Sequence, residues 1–80
     1  MSRFESTRRL SSLAAGDRGC VVRVLRDNPA RADRLGAIGV TPGAPVRVLQ
    51  TFPGVVFMCD HTEVAIEAAV AGAILIEVTR

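Results

Sequence analysis

Lysine, tryptophan and tyrosine are absent from the 80 residues, and only three phenylalanines occur, Phe4, Phe52 and Phe57. The core must therefore be aliphatic, built from Val, Ile, Leu and Ala. Without lysine, no side chain of the P-loop type is present to reach a nucleotide phosphate. Without Trp or Tyr, the stacking platform that single-stranded nucleic acid requires is missing, so no nucleic-acid partner is expected. Cys20 and Cys59 are the only cysteines, which is not a disulfide framework and predicts a reduced, cytoplasmic chain. His61 is the only histidine, too few for a nucleophile, base and orienting group, so no enzyme and no catalytic residue is predicted. The opening MSRFESTRR lacks the apolar run of a secretory signal, so none is expected. The longest apolar stretch, Val64 to Ile76, carries Glu67 and is too short to span a bilayer, so no direct membrane insertion is expected.

What is present is apolar and mildly basic. Hydrophobic residues make up 49% of the chain and the net charge is +2, with arginine as its only basic residue besides His61. The length suits one small domain. Residues 1–9 (MSRFESTRR) read as a flexible, arginine-bearing arm with Phe4 its only anchor, and residues 10–80 as the folded unit.

Along that unit, Ser11 is a candidate N-cap for one helical turn. Cys20 to Asp27 is a strand by its β-branched content, and alternation assigns Cys20, Val22 and Val24 to the core face. Asn28 then fits an N-cap and Pro29 the first helical position. Leu35 and Ile38, helped by Ala32 and Ala37, form the buried face of that helix. Gly36 inside it predicts a close approach to a neighbouring strand, because glycine there is otherwise unfavourable. Gly39 suits the left-handed position that ends a helix, and Thr41-Pro42-Gly43-Ala44 suits a type II turn. Three further strands follow, PVRVLQT, VVFMCD and TEVAIE, linked at Phe52-Pro53-Gly54 and Asp60-His61. A short helix within Glu67 to Gly72 precedes a last strand, ILIEVT, with Ile74, Ile76 and Val78 on one face. Hairpin-length links between short strands predict a mainly β fold with short helices, a small SH3-like antiparallel β-barrel.

Three chemistries are open at this level. Arg34 to Val46 (RLGAIGVTPGAPV) is glycine-rich, but its glycines follow a helix and precede a strand, the reverse of a phosphate-binding loop. They read as a helix stop and a turn. Cys59 and His61 would share a side in extended chain and are weak metal candidates, since a stable site needs three or four ligands; no cofactor is expected. Phe52 and Pro53 sit at a loop tip, where an aromatic either anchors a partner or folds back over the barrel end. Leu49 and Met58 alternate outward with Arg47 and form a patch beside it or lie under a helix.

The residues also resemble a known family. Leu10 to Val24 (LSSLAAGDRGCVVRV) is similar to the opening of the FeoA family. Arg34 to Val48 (RLGAIGVTPGAPVRV) resembles its signature, in which Arg34, Leu35, Gly39, Pro42 and Gly43 are the recognisable positions, and Val64 to Val78 resembles its close. The turn that in the family often contains Gly holds Asp60 and His61 here. The resemblance implies an SH3-like barrel and an accessory role in bacterial ferrous iron uptake. The implied partner is the cytosolic, GTP-binding part of the membrane transporter FeoB. The alternative expectation is a small barrel that binds a transition metal or RNA directly.

Overall fold

The computed structural model describes residues 7–79. Six strands are present: β1 (Thr7–Arg9), β2 (Arg18–Val24), β3 (Pro45–Gln50), β4 (Val55–Cys59), β5 (Thr62–Ile66) and β6 (Ile74–Thr79). All pairs are antiparallel, in the order β1-β6-β2-β3-β4-β5. A 3-10 turn (Leu10–Ser12), helix α1 (Pro29–Ala37) and the four-residue helix α2 (Ala68–Ala71) complete the described chain. The mainly antiparallel class is the expected one. Among the described residues a closed barrel is not seen, since β1 and β5 each have a single neighbour in the sheet.

In β2 to β6 one face is largely apolar, and those side chains meet in one core. Val21, Val46, Val48, Phe57, Ile74 and Ile76 are all at most 3% exposed, joined by Leu10 and Leu35 from the helical pieces. Among the described residues Phe57 is the single aromatic of this cluster, which is otherwise aliphatic but for Cys59. Register shifts at Val22 in β2 and Leu49 in β3 mark bulges, which bend a strand and raise its twist.

Several expectations require correction. The core face of β2 is the opposite one: Gly19 and Val21 are buried, while Cys20 and Val22 are exposed. A Cβ at position 19 would overlap the Glu77 carbonyl and lie 2.7 Å from Ile76 Cγ2, so glycine is what lets β2 approach β6. The bulge at Val22 then breaks the alternation, which is why Val24 still packs on the core. Thr7–Arg9 of the supposed arm pair with β6, Thr7 opposite Glu77 and Arg9 opposite Leu75; Phe4 lies outside the described residues. The Arg8 side chain donates to the Ser12 carbonyl, and the Arg9 side chain to that of Gly72. Ser11 is inside the 3-10 turn rather than capping it. In α1, Asn28 caps as expected, its Oδ1 accepting from the Arg31 N–H at 3.1 Å, with Pro29 first in the helix. Ala32 and Leu35 are buried, but Ile38 is 46% exposed and Ala37 exposed, because the helix ends there and the chain turns away. No atom outside its own helix surroundings lies within 4 Å of a Cβ built on Gly36, so no close approach explains that residue.

Candidate functional site

The signature segment is structural. Gly39 at φ 103° ends α1 and Gly43 at φ 91° completes the following turn, both conformations that favour glycine. The backbone N–H groups here are already committed. Gly39 donates to Gly36, Val40 to the buried Leu35, and Ala44 to Thr41, while Gly43 donates to Val21 at 2.7 Å. Val21 donates in return to Ala44 at 2.9 Å, so the turn is stitched onto β2. No fan of free N–H groups remains for an anion, and Arg34 stands exposed on the helix beside it.

The metal candidates are held apart. The chain leaves extended geometry at Asp60, whose φ is 57°, so Cys59 and His61 no longer share a side. Asp tolerates this left-handed region better than most residues, which lets the hairpin turn without Gly. Cys59 points inward, 2% exposed, and its Sγ donates to the Gly39 carbonyl at 3.4 Å. Burial pushes its thiol above its ordinary value, and the Asp60 carboxylate adds to the effect. A protonated thiol is a poor ligand. The His61 side chain is 97% exposed, with Asp60 Oδ1 3.7 Å from its Nε2. Cys20 lies on the outward face of β2, away from Cys59. Among the described residues no group of three metal-ligating side chains comes together.

The proposed partner residues, by contrast, gather on one hairpin. In β3, Val46 and Val48 are buried and Arg47 faces out; in β4, Val55, Phe57 and Cys59 are buried, with Val56 and Met58 half-buried on the other side. The register sets Arg47 directly opposite Met58. The bulge at Leu49 leaves that side chain 40% exposed, so it does not lie under a helix. The hairpin tip is closed by a Gln50 Nε2 hydrogen bond to the Gly54 carbonyl. At that tip Pro53 is exposed and Phe52 is 84% exposed, so Phe52 does not fold back over the core.

Sequence reasoning missed Arg18. The register sets it directly opposite Arg47, between that residue and Thr79 of β6. One row of outward side chains thus crosses five strands, Thr79, Arg18, Arg47, Met58 and Glu63. Cross-strand pairing is invisible without the register, so no sequence signal pointed to it. Two arginines at or near α1 have partners instead: Arg26 pairs with Asp33 at 3.0 Å and Arg31 with Asp27 at 3.1 Å.

The chain is similar to proteins that share this architecture. A solved iron uptake regulatory protein, FeoA, is 30% identical, with a TM-score of 0.80 over 91% of this chain and 97% of its own. A manganese-dependent transcriptional repressor is 25% identical, with a TM-score of 0.84 over 90% of this chain but only 41% of its own. The zinc complex of Stenotrophomonas maltophilia FeoA is 23% identical, with a TM-score of 0.75 over 84% of this chain and 86% of its own. That protein is described as an SH3 domain protein and a candidate ferrous iron transport activating factor. No curated protein matches the chain. The FeoA domain model covers residues 8–78, the signature turn and both faces of the hairpin included, and the chain therefore belongs to the FeoA family.

Proposed function

We propose that this chain is a non-enzymatic accessory protein of bacterial ferrous iron uptake, acting in the cytoplasm by docking on the GTP-binding, cytosolic part of the transporter FeoB. Family membership supports the link to iron transport, and the activating role suggested for the Stenotrophomonas maltophilia protein supports a transporter as partner. The observation that carries the reading is Phe52. An aromatic side chain 84% exposed at a hairpin tip contributes little to folding, and exposed aromatics are common anchors of interfaces. Pro53, Leu49, Met58 and Arg47 extend the surface from that anchor. Direct metal binding has less support, because Cys59 is buried, which raises its thiol above the ordinary value, while His61 faces solvent.

The test is a titration of the chain against full-length FeoB in nanodiscs, with and without a GTP analogue and ferrous iron. Saturable binding that Phe52→Asp abolishes, with the fold intact, is the expected result. No binding in any nucleotide state overturns the reading.

A further inference from the structure

Arg18 and Arg47 form an arrangement that folding alone disfavours. Like charges placed directly opposite across two strands destabilise a sheet, and the register puts these two guanidinium-bearing residues in that relation. Both are exposed, and among the described residues neither forms an ion pair. They also line one concavity. A depression of about 280 Å³ is bounded by Arg18, Arg47, Met58 and Asp60. It shares Arg18, Pro45 and Val46 with a second depression of about 550 Å³ that runs over Asp17 and Gly19 to Thr79.

From this we infer that the Arg18–Arg47 pair is a receptor for a carboxylate on an acidic, partly apolar segment of a protein partner. The guanidinium fork matches carboxylate geometry in a bidentate way. The two arginines are register partners and form no ion pair among the described residues, and one incoming acidic side chain completes them. Met58 lies directly beside Arg47 in the same row, and Leu49 is the next outward residue along β3. They supply the apolar surroundings that exclude water and strengthen a charged contact.

The neighbouring charges argue against an extended polyanion. Asp17 and Asp60 border the same depressions, and Glu63 ends the row beyond Met58. These carboxylates interrupt the positive field that a run of phosphates needs. They leave the arginines free all the same. Asp17 Oδ2 accepts the Ala14 N–H at 2.8 Å, and Asp60 faces His61. The site is thus suited to one or two carboxylates and not to a nucleic-acid backbone or an anionic bilayer. This inference rests on the docking role proposed above and gives that surface its chemistry.

The experiment uses the full chain and its Arg18→Glu, Arg47→Glu and Arg47→Lys variants against full-length FeoB in nanodiscs. Charge reversal at either position is expected to weaken binding about 10- to 100-fold. Arg47→Lys falls between, because it keeps the charge and loses the fork. Wild-type affinity drops as salt rises, and that dependence is shallower in the reversals. The free chain supplies an independent readout, since Arg47→Glu replaces a repulsive cross-strand pair with an attractive one. Its Tm should rise by about 1–6 °C.

Wild-type binding that neither reversal changes overturns this inference and leaves the docking role standing, whereas no wild-type binding removes the docking role itself. A fall in Tm on Arg47→Glu shows that the two arginines do not face each other and overturns the inference without reference to any partner. Co-sedimentation with phosphatidylglycerol vesicles that both reversals abolish overturns it in favour of a lipid surface.

Discussion

The two faces of the β3–β4 hairpin are built from the same short strands and have opposite logic. Inward, Val46, Val48, Val55, Phe57 and Cys59 are each at most 3% exposed and close the core. Outward, Arg47, Leu49, Val56 and Met58 are left open or half-open, and Phe52 projects from the tip. Burial of apolar surface drives folding at roughly 25 cal/mol per Å², so the inner face needs no further explanation. Apolar groups on the outer face gain little of that energy. Their presence beside Arg18 and Arg47, which form no ion pair among the described residues, is what the proposed docking role accounts for.

That contrast is broken most severely from the inside. Phe57→Ala removes the only aromatic of the core among the described residues, fully buried at 0% exposure. Loss of a buried Phe costs about 3–5 kcal/mol, much of the stability of so small a domain. Urea denaturation should show an unfolded or barely folded chain. Phe52→Asp is the matching change outside. Stability should stay within about 0.5 kcal/mol of the parent, while transporter affinity falls by about 30-fold or more, as for a central anchor. If Phe52→Asp unfolded the chain, the division between the two faces would be wrong.

The two cysteines sharpen the comparison by chemistry, one on each side of the sheet. Cys20 is exposed and Cys59 buried. A thiol reagent should label one site in the native chain and the second only on unfolding. The raised value of Cys59 also sets a sign. The folded state holds this proton more tightly than the unfolded state does. The resulting stabilisation is complete below the ordinary thiol range and is lost as pH rises through the raised folded value. The urea midpoint should therefore decline with pH in the alkaline range, and more steeply than in Cys59→Ala. The smallest effect belongs to Gly36, on α1. With open space around its Cβ position, Gly36→Ala should stabilise the chain by about 0.5–1 kcal/mol, measured as a higher urea midpoint. Destabilisation there would reveal a contact that the open surroundings do not show.

Legibility in the sequence followed how local each determinant was. Asn28, Pro29, Gly39 and the Thr41–Ala44 turn act within a few residues, through capping and permitted φ, and were readable in advance. So was the inward set of β3, Val46 and Val48, which precedes the bulge at Leu49, and that of β6, where alternation is unbroken. The β2 face was not, because Cys20, Val22 and Val24 look more apolar than Gly19 and Val21 until Glu77 and Ile76 of β6 are in place. Nor was β1, whose three polar residues carry no periodic signal and pair only because β6 offers an edge. Ile38 was misassigned for a related reason: helical spacing predicts a face but not the residue at which the helix stops packing.

Within the candidate site, the sequence alone determined the chemistry available: outward Arg47, Leu49 and Met58, a Phe-Pro tip, too few metal ligands, and glycines that follow a helix. Capping, turn geometry and side-chain alternation are short-range, and they act whatever the rest of the chain does. Only the tertiary structure decided that Phe52 stands clear of the core, that Cys59 and His61 part at Asp60, and that Arg18 faces Arg47. Each of these depends on strand register, and register is set by how distant strands bury their apolar faces together.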